Sequence, residues 1–411
     1  MDNLIKYVKS ISTGIFVLYM AFVSSNAYSL DFEDFSLNSI TGFLGSLSYS
    51  HKGFDIKLTE LSIDETFDDN VTYDRKNELE DYITTIGGGF GVTYEGKTKA
   101  LDLIVKIEGE LFAQFNEFNN LTEDLIFNFN NEFSEYDRMS ISNIFTHTDA
   151  PRFQQDDFFD EQFDRTEEDV SRFDHYMNRF NLDYSKDLAK QFTIITRYRN
   201  ELDIFEGGAN DNDNSFLNGT GFEFDYLPNP YTTFLFAYDF NIRQFENDKS
   251  AFINTVSSGM IKYITKKIYF DGRAGLDLID SFENQRHTRP YIRTSVNYVV
   301  DTEMQARFLF ENSSRLNSYN EDVFERWRTT ASVRRRLSER FLGNISIFYG
   351  EGEYIDRQTE PRLLGVRTTF TYDINKNLTG NLTYSFSQNE SDRIESEYTK
   401  NTLFLGLVAE F

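Results

Sequence analysis

The sequence predicts an all-β fold: a transmembrane, antiparallel up-and-down β-barrel of about 18 strands, with 16 as the alternative count. Three observations predict it. The chain closes on 401–411, where Leu403, Leu405, Leu407, Ala409 and Phe411 share one face of an extended strand, opposite Thr402, Phe404, Gly406, Val408 and Glu410. Such an apolar terminal strand is an aggregation hazard in water, whereas lipid covers it once every backbone group pairs inside a closed barrel. From about Phe54 onward, runs of ~9–14 residues alternate apolar and polar with period two. Short turns and long polar loops also alternate along the chain, as periplasmic turns and extracellular loops do in outer-membrane barrels.

Taken in order, the chain begins with Lys6 and Lys9, an apolar run at 15–23, and small residues at Ser25 and Ala27. That is the pattern of a secretory signal peptide, so residues 1–27 are excluded from the fold. The apolar run falls short of the ~20 residues a spanning helix needs. Residues 28–53 are expected to form an N-terminal periplasmic or lumenal segment, within which 40–50 comes nearest to an extra strand. Residues 54–411 are expected to form the barrel.

Composition supports this division. The 411 residues include 42 Phe and 24 Tyr but only 5 Pro, with a formal charge of −26 and no Cys. Aromatic-rich, proline-poor strands with a polar average suit a barrel that is apolar outside and wet inside. The absence of cysteine excludes disulfides and cysteine-ligated metals. The acidic balance argues against a nucleic-acid partner, and no cofactor is implied. A soluble β-sandwich would have strands of ~5–6 residues with inward apolar faces, which these runs do not match.

The clearest strands are 101–111, 233–243 and 378–387. In the second, Phe234, Phe236, Tyr238, Phe240 and Ile242 oppose Ala237, Asp239, Asn241 and Arg243. Short turns are expected near 95–99, 134–137, 185–189, 227–230, 265–267, 300–303, 337–340 and 373–377. Longer loops are expected near 66–80, 116–120, 148–171, 205–214, 246–249, 280–287, 312–321, 353–362 and 388–398. Together these connections imply an even strand number, which returns both barrel ends to the periplasm. The closing strand, with its insertion signal Leu405, Leu407 and Phe411, should then pair with a first strand near 54–63.

If the apolar face meets lipid, the polar face lines the lumen. The inward basic residues are then Arg179, Arg197, Arg199, Arg273, Arg293, Arg307, Arg326, Arg328, Arg334, Arg336 and Arg367. The inward acids are Asp102, Glu108, Glu110, Asp183, Glu223, Asp225, Asp239, Asp271 and Asp277. Arg335 alone falls on the lipid face, which requires a place near the periplasmic interface from which it can snorkel. Facing ladders of charge would form a wet passage for polar solutes. Alternatively the arginines form a track for an anionic polymer, with Tyr269, Tyr291 and Phe348 stacking on sugar rings, or the charges simply neutralise one another.

The longest loop, 148–171, carries Asp149, Asp156, Asp157, Asp160, Glu161, Asp164, Glu167, Glu168 and Asp169. As the third extracellular loop it is a candidate gate, or else a solvated loop bridged by divalent ions to lipopolysaccharide. Its Phe153, Phe158, Phe159 and Phe163 favour a loop that packs. The histidines His51, His147, His175 and His287 form no specific catalytic order, so no enzyme is expected. The run 211–214 has the beginning of a calcium loop, but Phe222 stands where its closing Glu belongs.

Two segments resemble the β-barrel porin-2 family of outer-membrane proteins. Residues 65–71 (ETFDDNV) followed by 80–87 (EDYITTIG) resemble its opening strand, loop and next strand. Residues 389–393 (NESDR), 398–401 (YTKN) and Leu405-Gly406-Leu407 resemble its last loop and closing strand. The resemblance implies a porin-like channel in the outer membrane of a Gram-negative bacterium, with exopolysaccharide export as the role it suggests. Expected partners are outer-membrane lipids, lipopolysaccharide, the barrel-assembly machinery and polysaccharide-export components. A passive diffusion porin, or a structural or adhesive barrel occluded by its third loop, are the other readings.

Overall fold

The computed structural model describes residues 49–148, 174–206, 214–317, 321–356, 360–392 and 397–411, apart from 52, 74 and 77. The segment expected to be a signal peptide, residues 1–27, and nearly all of the acidic third loop, 149–171, therefore lie outside the described residues. The strands are β1 Tyr49–His51, β2 Phe54–Asp68, β3 Asp81–Glu95, β4 Lys99–Phe112, β5 Asn120–Ser134, β6 Asp137–Thr148 and β7 Asp174–Ala189. They continue as β8 Phe192–Glu206, β9 Ser215–Asn229, β10 Thr232–Phe245, β11 Ser250–Tyr263, β12 Ile268–Asp280 and β13 Arg286–Val299. The last are β14 Met304–Leu316, β15 Val323–Ser338, β16 Phe341–Tyr354, β17 Arg362–Asp373, β18 Leu378–Glu390 and β19 Tyr398–Glu410.

From β2 onward each strand pairs antiparallel with the next, and β19 pairs with β2, placing Leu407 opposite Ile63 and Ala409 opposite Leu61. The result is a closed barrel of eighteen long strands, β2–β19. Closure removes every long edge, which is the condition for β-structure in lipid. Alternation sets the two faces: Leu403, Leu405 and Leu407 are 47, 60 and 41% exposed on the outside. Aromatic pairs mark both ends of this band. Phe54–Tyr94 and Phe192–Tyr226 lie at the periplasmic rim, and Phe67–Tyr82 at the extracellular rim.

Two boundaries differ from expectation because backbone pairing continues past the apolar pattern. Strand β7 runs on to Ala189, with the turn at residues 190 and 191, and Thr193 donates to Asp187 across it at 2.7 Å. Segment 28–53 was expected wholly outside the barrel, yet β1 pairs with β2, Tyr49 opposite Ile56. Gly53 makes this turn possible with φ of +84°, a conformation costly for any side chain.

At the extracellular end the wall opens. Strands β13 and β14 pair only up to Ile292 and Asn312, although β13 stays paired with β12 to Arg286 and β14 with β15 to Leu316. The tops of β14, β15 and β16 thus form a flap that bends into the lumen. The Ser314 N–H donates to the Asp277 carboxylate on β12 at 3.0 Å, reaching past β13. Leu316, Val323 and Ile355 pack with Leu217, Phe245, Ala251, Ile253, Ile279 and Phe282 on the neighbouring inner wall of β9–β12. By strand parity Leu316 and Val323 belong to the lipid face; bending turns that face onto the inner wall.

A second cluster, Phe324, Phe348, Tyr354, Leu363 and Tyr398, lies beside the flap, with Tyr73 of the first loop against it. The Phe348 ring there occupies the space where a Cβ on Gly365 would stand. A third cluster brings Val71 onto Ile83 and Phe112. The core of this barrel is therefore lumenal and extracellular.

Candidate functional site

Every basic and acidic lumen residue named from the sequence lies on the inner face by register, but their surroundings depend on height. Near the outer mouth they are buried and paired. Arg243 on β10 donates to Glu201 at 2.6 Å and to Asp203 at 3.0 Å, both on β8, and to Ser215 at 2.7 Å. All four groups are buried, so the attraction is little screened by water. Arg326 and Arg328 share Glu311 at 3.9 and 3.3 Å. Lys400 bonds Asp68 at 2.6 Å, donates to the Asn70 carbonyl at 2.9 Å, and stands 3.7 Å over the Tyr73 ring, fixing the first loop inward. Arg179 faces Glu201 across the β7–β8 ladder.

A middle belt of half-buried groups surrounds the buried carboxylate of Glu223. Glu223 accepts from Arg197 at 2.8 Å and from Arg273 at 2.7 Å, with Asp225, Asp239 and Asp271 nearby on the same face. Arg199 donates through Nε to Glu201 at 2.8 Å, Arg197 lies 3.8 Å from Asp183, and Arg293 3.9 Å from Glu311. On the other side Lys106 bridges Glu60 and Glu108 at 3.0 and 3.2 Å, with Asp102 below and buried Glu110 above.

Towards the periplasm the inner face opens. Arg307, Arg334 and Arg336 are exposed, and a cavity of about 620 Å³ is lined by Tyr269, Asn297, Gln305, Arg307, Ser332 and Arg334 among others. Arg367, a little higher, donates to Ser385 at 3.1 Å. Arg335 points to the lipid side opposite Met304, three residues from the periplasmic end of β15, where snorkelling is available.

Three expectations need correction. Phe348 is buried under its apolar cluster and presents no ring for a sugar to stack on. Arg326 and Arg328 do not form an open wall, because both are buried and share Glu311. Residues 312–321, expected to be a plain loop, instead carry β14 on to Leu316, which packs with Val323 and Ile355 onto the inner wall as an inward flap. Whether 148–171 gates, and where Asp156, Asp157, Asp160, Glu161, Asp164, Glu167, Glu168 and Asp169 sit, lies outside the described residues.

Sequence reasoning also missed Glu201, Asp203, Arg289 and Glu311. Extending the alternation beyond Arg199 on β8 gives Glu201 and Asp203; the flap then brings Glu325 to Arg289 at 2.9 Å. His175 stacks on Phe205 at 4.2 Å and approaches Asp203 at 3.6 Å, while His147 meets Glu123 on the outer face at 3.3 Å. Among the described residues no cluster of three potential metal ligands occurs.

The closed ladder, the outward apolar band and the polar interior define an outer-membrane β-barrel of a Gram-negative bacterium. No family model and no curated protein matches the sequence. Solved structures with a similar fold include the FrpB iron transporter of Neisseria meningitidis, at 11% identity and a TM-score of 0.47 over 82% of this chain and 62% of that one. The chain thus spans less than two thirds of that transporter. OpdK of Pseudomonas aeruginosa, solved with vanillate, matches at 9% identity and 0.49 over 86% and 98%. OmpT of Vibrio cholerae matches at 10% and 0.42 over 89% and 99%.

Proposed function

We propose that this barrel is a porin-like channel for polar molecules, closed at its outer mouth by the β14–β16 flap. The observation that carries the reading is the contrast within one lumen. Eighteen strands enclose more space than side chains fill, and the periplasmic half is polar and exposed while the extracellular half is packed. The flap has lost its ladder to β13 above Ile292 and meets the inner wall there through side chains, which suits an element that opens. Reconstitution into planar bilayers tests this: discrete conductance steps are expected, and no channel under any flap variant overturns it.

Export of an exopolysaccharide by a member of the β-barrel porin-2 family is the finer reading, supported by the motifs at both chain ends. Polysaccharide synthases encoded beside this gene would favour it, as would current block by an anionic but not a neutral oligosaccharide. Assembly through the barrel-assembly machinery and contact with lipopolysaccharide belong to the same reading, and no enzymatic step is proposed. The second reading, a structural barrel, is favoured by the packing of Val323 and Leu363, which are fully buried in the closed mouth.

A further inference from the structure

We infer that the periplasmic half of the lumen wall between β12 and β17 holds a binding site for a sugar acid, a carboxylate-bearing polyol. Register places two adjacent rungs there. One runs Tyr269, Asn297, Arg307, Ser332, Ser346 and Arg367; the other runs Gln305, Arg334, Asn344 and Thr369. Neither contains a carboxylate, in a chain whose formal charge is −26. The nearest acids above are Asp271 and Glu311, and those below, Glu303 and Asp373, lie at the periplasmic turns.

Arg307 and Arg334 are diagonal neighbours on β14 and β15, roughly 7–8 Å apart along the sheet, because Arg307 faces Ser332 and Arg334 faces Gln305. Their like charges repel, and among the described residues neither has an ion-pair partner. Arginines near the mouth and in the middle belt, by contrast, are matched to carboxylates. Two unneutralised guanidinium forks suit a carboxylate, which each can bind through paired N–H···O bonds. The amides of Asn297, Gln305 and Asn344 and the hydroxyls of Ser332 and Thr369 supply both donors and acceptors for sugar hydroxyls. The Tyr269 ring offers a face for the apolar side of the sugar. The cavity of about 620 Å³ falls within the ~300–1,000 Å³ of small-molecule sites.

The site deepens the channel reading, on which it rests only for the ligand's route. Isothermal titration of the full chain in detergent micelles with digalacturonate, maltose and sulfate tests it. Digalacturonate is expected to bind and maltose not to bind. R307Q and R334Q are each expected to weaken binding about tenfold or more. R286Q, at an extracellular position 89% exposed, leaves binding unchanged. Unchanged affinity in an R307Q/R334Q double variant overturns the site, and sulfate binding as tightly as digalacturonate overturns the sugar-acid assignment. Bilayer recordings on the same preparations separate the two claims. Conductance without digalacturonate binding removes the site and leaves the channel; binding without conductance removes the channel and leaves the site.

Discussion

Arg326 and Arg334 stand on the same face of β15, eight residues apart, and their surroundings differ in almost every respect. Arg326 is buried within the flap near Glu311; Arg334 is exposed beside a cavity with no acid in its lining. One alternating pattern therefore produces two interiors. In the extracellular half, inward residues are structural: they form three apolar clusters and charge pairs that satisfy one another. In the periplasmic half they retain unspent hydrogen-bonding capacity, and a ligand is the group best able to use it. Facing the lumen is thus necessary for a role in transport but does not establish one.

The largest expected effect breaks the comparison from its buried side. Arg243→Ala leaves Glu201 and Asp203 buried without their guanidinium, and should cost about 3–5 kcal/mol of stability. Guanidinium unfolding in micelles checks this. On the lipid face, Leu405→Arg should cost about 2–4 kcal/mol if it lies near the bilayer midplane, read as loss of heat-resistant folded protein on gels. Val323→Asp places a carboxylate in the flap's apolar contact and should shift docking toward the open state by about 10- to 100-fold. Single-channel open time reports it, and an unchanged trace would remove the gating role of the flap.

A smaller effect concerns Asp356, just beyond β16, which accepts a 2.9 Å bond from Ser281. Burial raises its carboxyl above the ordinary value, the Ser281 hydroxyl partly offsets this, and Asp322 and Glu283 push it further up. A raised acid disfavours the docked flap when ionised. Docking should therefore weaken as pH rises through this group and strengthen as pH falls toward the ordinary carboxylate range of about 4. Asp356→Asn should flatten that dependence of open probability. The smallest effect is on the other half: Arg334→Gln should alter stability by less than about 0.5 kcal/mol, by the same unfolding measurement as Arg243→Ala.

The barrel was legible because lipid enforces period two over long runs: Phe234, Phe236 and Tyr238 announce their face without knowledge of any partner. Closure of β19 on β2 followed from an even count of strands, and Arg335 was placed correctly because lipid tolerates its charge only near an interface. The flap was not legible. Leu316 and Val323 keep the parity of lipid-facing residues, and only their packing against Leu217, Phe245 and Ile253, distant in sequence, reverses its meaning. Phe348 was misread for the same reason, since alternation gives a side chain's direction and not what covers it. Within the candidate site, Arg307 and Arg334 were visible as inward arginines. What distinguishes them is the lack of acids on the two rungs that carry them across β12–β17, a property of register across strands rather than of any one segment.

The three-residue rung β1 bears on how the barrel is completed. Strand β19 covers β2 only from Glu60 to Asp68, and the Phe411 N–H donates to Thr59 beyond that stretch. Below it, Phe54–Ile56 would present an unpaired edge, and β1 turns back through Gly53 to fill that edge. The seam is thus finished by segments from opposite ends of the chain meeting on one strand. The β2–β19 contact closes the longest loop among the strand pairings, so its entropy cost falls late in folding. The periplasmic rim behaves as a zipper with two sliders, and removing Tyr49–His51 should leave the barrel formed but its last teeth unmeshed.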